Sequence, residues 1–149
     1  MVITKELLSQ SLIEEMLNYF IIAYKDYPDS KESILNPNWE AYNAFQEIGA
    51  LYIYTVRDDK KLVGYAWYIT MPSLHSKHDT YAAADTLYLD KDYRGKFLGI
   101  KLFKYAEADL KTHGINKIIY SLKTYDNWGS LLERLGYANT ELTYQKRIT

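Results

Sequence analysis

The sequence predicts an α+β (mixed α/β) fold in which two helices precede an antiparallel sheet and a strand–helix–strand unit adds one parallel strand pair. Three observations lead there. Apolar residues recur at helical spacing early in the chain and again after Leu98. Two β-rich runs flank the turn signal "RDDK". A third β-rich run enters a helical pattern directly and a fourth follows it, an order that requires a right-handed crossover between parallel strands.

From Gln10 to Lys25, the residues Leu12, Met16, Phe20 and Tyr24 form an apolar stripe that Ile13, Leu17 and Ile21 widen. Ser9 stands where the cap of this helix belongs. "YPDSKESILNPN" is rich in turn residues, and "NWEAYNAFQEIGA" reads as a second helix that stops near Gly49. "LYIYTV" and "KLVGYAWYIT" form the hairpin, "MPSLHSKHD" a loop and "TYAAADTLYL" the third strand. From Leu98, the residues Gly99, Leu102, Phe103, Ala106 and Leu110 share one helical face, with Lys101, Lys104, Glu107 and Lys111 mostly on the other. "THG" supplies the stop. "KIIYSLKT" then reads as a strand, "WGSLLERLG" as a short helix and "YANTELTYQKRI" as one or two closing strands.

The 149 residues are expected to form a single domain, 1–149, around one core. A formal net charge of −1 argues against a nucleic-acid partner, which needs a basic excess. The absence of cysteine excludes disulfides, thiolate metal sites and a cysteine nucleophile. "MVITKELLSQ" lacks the layout of a signal peptide and no apolar run reaches the length of a membrane span, so the expected compartment is the cytoplasm, with no membrane partner. The tyrosines, 16 in all, suit half-buried strands.

The chemistry concentrates in "YRGKFLGIKLF", which puts Arg94, Gly95, Lys96 and Gly99 at the mouth of a helix. A helix N-terminus has amide groups without helical partners and a partial positive charge, glycine lets an anion approach the backbone, and cations add to the attraction. A diphosphate suits such a place. A plain strand-to-helix turn with a surface arginine would use the same residues. "GKF" lacks the hydroxyl residue of a Walker A loop, and "RGKFLG" is not a dinucleotide-binding glycine fingerprint. His75 and His78 beside Asp79 lack a clear third and fourth ligand, so no metal is expected. Lys96, Lys101 and Lys104 suit either phosphates or a solvated helix face.

"DTLYLDKDYRGKFLGIKLFKYAEADLKTHGINKI" resembles the acyl-CoA-binding motif of the GNAT N-acetyltransferase superfamily, Arg/Gln-x-x-Gly-x-Gly/Ala after a strand and opening a long helix. Arg94 matches the first position and Gly99 the last. "LLERLGY" resembles a later family segment and "KLVGYAW" a hairpin strand. The match is good from Asp85 to Tyr137, weaker from Leu51 to Thr70, and is most like short phage-encoded members.

The resemblance implies a GNAT-like acyl-CoA N-acyltransferase fold: a mostly antiparallel central sheet with one splayed parallel pair, flanked by helices. It implies transfer of an acetyl group from acetyl-CoA to a primary amine by direct attack. The acceptor is a protein lysine, an N-terminus or a small amine; a homodimer is allowed, and the compartment is the host cytoplasm for a phage-encoded chain. The coenzyme A contacts it implies are Leu87, Tyr88 and Leu89 on the strand, then Arg94, Gly95, Lys96, Phe97, Leu98, Gly99 and Ile100 at the turn, and Asn127. Phe97 replaces the family's first motif glycine, and Leu132 stands where many members carry a proton-donating tyrosine. Asn127 is nearest in type to a family asparagine, but Tyr125 holds its spacing from Gly136. These departures favour an alternative, a weak or inactive GNAT-fold module that docks to a partner protein.

A lysine-like amine has a pKa of about 10.4 and must lose a proton before it attacks. Asp85 is the candidate base, because alternation puts it on the face of Leu87 and Leu89; a strand-edge or capping acid is the other reading. His75 and Tyr81 are alternatives on the acceptor side, although a solvated loop histidine is the better reading of His75. The resemblance assigns oxyanion stabilisation to a backbone N–H in a bulge around Leu87 to Leu89. Tyr125, Tyr137 or Tyr88 could protonate the departing thiolate, although a thiol pKa of about 8.5 lets it leave without an acid.

Overall fold

Alternating apolar residues build the sheet, and helical stripes cover it. In the computed structural model, which describes residues 1–25 and 34–149, the strands are β1 (Val2–Glu6), β2 (Leu51–Asp58), β3 (Lys61–Pro72), β4 (Thr80–Leu89) and β5 (Lys117–Ile119). The helices are α1 (Gln10–Lys25), α2 (Trp39–Glu47), α3 (Leu98–Thr112) and α4 (Gly129–Arg134), with a short 3-10 turn at Lys91–Tyr93. The turn-rich reading of 27–38 lies, up to residue 33, outside the described residues. The chain resolves into two compact units, Met1–Ile119 and Tyr120–Thr149.

The first unit holds one five-stranded sheet in the order β1-β2-β3-β4-β5. The first four strands are antiparallel, and β5 joins β4 in parallel after the α3 crossover. A mixed α+β fold with one parallel pair is therefore observed. One sheet face carries Ile53, Tyr65 and Trp67 and buries Leu12, Ile13 and Met16 of α1. The opposite face carries Tyr54, whose ring meets Tyr105 of α3 edge-on at 5.9 Å and whose hydroxyl donates to Asp109 of α3 at 2.9 Å. Leu102, Ala106 and Leu110 form the buried stripe of α3.

The helix ends follow the local rules. Ser9 Oγ accepts the Leu12 N–H at 3.2 Å and Asn38 Oδ1 accepts the Ala41 N–H at 3.0 Å. Gly49 and Gly114, at φ +74° and +79°, follow α2 and α3 in the left-handed region that glycine enters without strain.

Three elements depart from expectation: of the run 117–124, read as a strand, only Lys117–Ile119 pairs with β4. β1 was not anticipated: only two of its residues, Val2 and Ile3, are large and apolar, and it exists through its ladder with β2. The closing strands do not form, and residues 138–149 carry no regular structure. Alternation makes a strand only where a neighbouring ladder and a core receive it. Here Leu142, Tyr144 and Ile148 are exposed.

β1, β2 and α1 are joined by ionic bonds. Arg57 of β2 donates to Glu6 of β1 at 2.7 Å and to both carboxylate oxygens of Glu15 of α1, at 2.8 and 2.9 Å. These bonds raise the pKa of Arg57, and the Arg57 hydrogen bond holds the Glu6 carboxyl below its ordinary value of 4.5. A depressed carboxyl stabilises the fold above its unfolded value, and that contribution fades as pH falls through the folded one. Arg57→Met is expected to lower stability at pH 7 by about 2–3 kcal/mol and to flatten its loss below pH 4.5, measured by urea unfolding across pH.

Candidate active site

β4 pairs with β3 from one end to the other, but with β5 only at Tyr81, Ala82 and Ala83. From Ala84 to Leu89 the β5 side of the strand therefore has no ladder partner among the described residues. The β3 register shifts at the same place: Tyr68 faces Ala84 and Trp67 faces Thr86, which leaves Asp85 as an extra residue in a bulge. The strands part, and the bulge bends β4, within two residues of each other.

The bulge changes which way Asp85 points. Counting alternation back from Leu87 puts it on the α3 face; the extra residue reverses that count. Asp85 instead joins Thr86 on the face of α1 and α2, where its Oδ2 accepts the Tyr42 hydroxyl of α2 at 2.6 Å. The bulge itself sits at Asp85 rather than around Leu87 to Leu89, next to the point where the strands part. Burial, followed by the hydrogen bond to Asp85 and its charge, holds the Tyr42 phenol well above the ordinary range. Tyr42 thus stays a neutral donor. Its ring meets fully buried Trp67 edge-on at 5.3 Å and lies 5.8 Å from Trp39.

Further along β4, Leu89 turns to the α3 side, where a Cβ at Gly64 would stand 2.8 Å from its Cδ1 and one at Gly99 3.9 Å from its Cδ2. Tyr88 turns the other way, onto Tyr19 at 4.5 Å and Tyr65 at 5.9 Å. Burial and Asp90 raise the pKa of both Tyr19 and Tyr88. With those side chains engaged, Tyr88 and Leu89 offer the open edge chiefly backbone.

The strand ends in the glycine-bearing turn. Arg94 folds back, its Nε donating to Leu89 O at 2.8 Å and its guanidinium 5.9 Å from the Tyr88 ring centre, which pins the turn to the strand. Gly95 adopts φ +80°. Phe97, at the cap of α3, adopts φ +57° and ψ +10° and supplies no side-chain cap. The first helical bond of α3 runs from Lys101 N–H to Phe97 O at 3.0 Å, so the amides of Leu98, Gly99 and Ile100 precede it. Phenylalanine disfavours positive φ, yet the turn keeps a glycine-type conformation. The residue is 72% exposed, so its side chain is largely in solvent.

His75 lies in the loop between β3 and β4, at the opposite end of β4 from this turn. Asp85 to Thr80 alone spans roughly 16 Å of extended strand. Among the described residues, no three histidine or acidic side chains gather as a metal site. In the second unit, Asn127 Oδ1 accepts the Gly129 N–H at 2.9 Å and Leu132 is buried in α4. Tyr125 is exposed, and Tyr137 packs edge-on against Tyr120 at 5.2 Å. Tyr42, the partner of Asp85, is the residue that sequence reading missed. Its pairing with Trp39, three positions earlier on one helical face, was the available signal.

The sequence profile of the Acetyltransferase (GNAT) family matches residues 11–137. The chain belongs to the GNAT family. Members of this family generally use acetyl-CoA. The fold is shared with an aminoglycoside acetyltransferase from an uncultured soil metagenomic sample, at TM-score 0.76 and 15% identity over 100% of both chains. It is shared with a transcriptional regulator from Bacillus halodurans C-125, at TM-score 0.78 and 15% identity over 99% of this chain and 100% of the other. A ribosomal-protein-alanine N-acetyltransferase from Brucella melitensis biovar Abortus 2308 gives TM-score 0.71 and 17% identity over 99% and 100%. No curated protein matches the sequence significantly.

The two left-handed residues of this GNAT turn differ in what substitution should do. Gly95→Ala is expected to cost about 1–2 kcal/mol, because it adds a Cβ at positive φ. Phe97→Gly removes such a Cβ and loses little burial, so stability is expected to stay level or rise by about 1 kcal/mol. Chemical unfolding of the two variants checks both signs.

Proposed function

We propose that the whole chain, 1–149, acts as an N-acetyltransferase that moves an acetyl group from acetyl-CoA to a primary amine. The observation that carries this reading is the alignment, along one strand, of three things: a free ladder edge at 84–89, a carboxylate at Asp85 in the bulge, and uncapped amides where α3 begins. The fit to coenzyme A rests on the same features. Backbone groups of Leu87, Tyr88 and Leu89 would take the amide-bearing arm. The amides of Leu98, Gly99 and Ile100, with Arg94, Gly95 and Lys96 beside them, would take the diphosphate. Gly99 keeps α3 close to Leu89, and Phe97 is largely exposed. When bound, acetyl-CoA supplies an activated thioester carbonyl.

The chain's own residues would then deliver a neutral amine. Asp85 faces the α1 and α2 side, opposite α3, so the amine and the diphosphate have separate approaches. An amine with a pKa of about 10.4 is protonated at neutral pH, and the Asp85 carboxylate would first attract it and then receive a proton, directly or through one water. A thiolate of pKa about 8.5 leaves without a strong acid, so the reading does not depend on Tyr125 or Tyr137. Aminoglycoside and ribosomal-protein-alanine acetyltransferases share this fold, so the fold admits small-molecule and protein amines alike.

Thiol release from acetyl-CoA is to be measured with sisomicin, an alanine-initiated peptide and a lysine peptide. Acetyl-CoA alone is expected to stabilise the native state, by about 2.7 kcal/mol at one hundred times its Kd. No thermal shift at saturation would favour the docking module, a reading that buried Leu132 supports. Asp85→Asn is expected to reduce kcat by about 100-fold or more while the Kd for acetyl-CoA stays level. Arg94→Ala is expected to do the reverse, and an unchanged Kd would remove Arg94 from the phosphate site.

A further inference from the structure

From the bond between α2 and the β4 bulge, we infer that Tyr42 is a positioning residue that fixes the Asp85 carboxylate for proton transfer from the acceptor amine. This rests on the reading of Asp85 as the base. A bulged residue has no cross-strand partner of its own, so the ladder does little to fix its side chain. Asp85 is exposed, and an exposed aspartate ordinarily samples several rotamers. Here one of its oxygens accepts a phenol at 2.6 Å, from a helix 43 residues away in the sequence.

The donor is itself held. Tyr42 is half-buried, its ring wedged edge-on against Trp67 at 5.3 Å and beside Trp39 at 5.8 Å. Trp67 is wholly buried and sits opposite Thr86, the residue next to the bulge. A rigid aromatic support therefore aims one hydroxyl at one carboxylate oxygen. Oδ2 is occupied, which leaves Oδ1 with lone pairs free to accept a proton from a bound amine. The high pKa of Tyr42 agrees with this role, since a phenol that stays neutral donates throughout the working range. The hydroxyl need not touch the amine. It acts through Asp85, and proton transfer is sensitive to small errors in aim.

The experiment uses the full chain, acetyl-CoA and n-propylamine as the probe acceptor, and a double-mutant cycle in kcat. Tyr42→Phe keeps the ring and removes the hydroxyl. It is expected to lower kcat on the order of 10-fold, with the KM for acetyl-CoA within about two-fold of wild type. In the Asp85→Asn background the same substitution is expected to change kcat by less than about two-fold, because no base remains to be aimed. An equal fall in both backgrounds, or no fall in the wild-type background, overturns the inference. A second measurement does not need turnover. Three-bond couplings of the Asp85 β protons are expected to show one staggered rotamer in wild type and averaging in Tyr42→Phe. A single rotamer in both, or averaging in both, overturns the inference. If the wild-type chain releases no thiol with propylamine while its Asp85 rotamer is fixed and Tyr42-dependent, acetyl transfer to this probe has failed and the positioning bond has not.

Discussion

The whole arrangement depends on β4 having a ladder along its full length on one side, broken only by one bulge, and a ladder that stops early on the other. A strand inside a sheet normally satisfies its amides and carbonyls on both edges, and a buried backbone group without a partner costs about 1–3 kcal/mol. β4 meets that requirement toward β3 along its length except at the Asp85 bulge, and toward β5 only at three residues. Beyond Ala83 its outer edge has no ladder partner among the described residues. That single interruption sets the place where the proposed site can lie. Placing the start of α3 at the end of the same strand puts peptide-like and anion-like recognition along one line.

The bulge then assigns the two faces of the sheet different tasks. The α3 face is closely packed, with Gly64 and Gly99 leaving only enough room for Leu89. The α1 and α2 face is a wall of rings, in which Tyr19, Tyr65 and Tyr88 stack beside Phe20, Trp39, Tyr42 and Trp67. One extra residue turns Asp85 from the first setting toward the second, where a phenol is available to it. The backbone irregularity thus decides which face that acid occupies.

Much of the fold was legible because its periodic segments are long. The run "TYAAADTLYL" coincides with β4, and the apolar stripes of α1 and α3 bury the residues that their spacing selects. The turn was also readable, since glycines and cations before a helix have a local physical meaning. What was not readable is non-local. β1 is a strand through its register with β2, and the tail from 138 has a strand's alternation without a ladder to join. The orientation of Asp85 depends on a bulge that no glycine or proline marks, between Ala84 and Thr86. Tyr42 meets Asp85 only once the sheet and α2 are assembled.

The left-handed Phe97 has a stereochemical consequence. Positive φ is strained for an L-residue because of where its Cβ projects; inverting the α-carbon inverts that preference. A mirror-image amino acid at this one position would sit in its natural basin while every neighbour stayed unchanged. Chemical ligation through position 97 therefore gives access to a backbone that is stiffer at the mouth of α3 than any genetically encoded side chain allows.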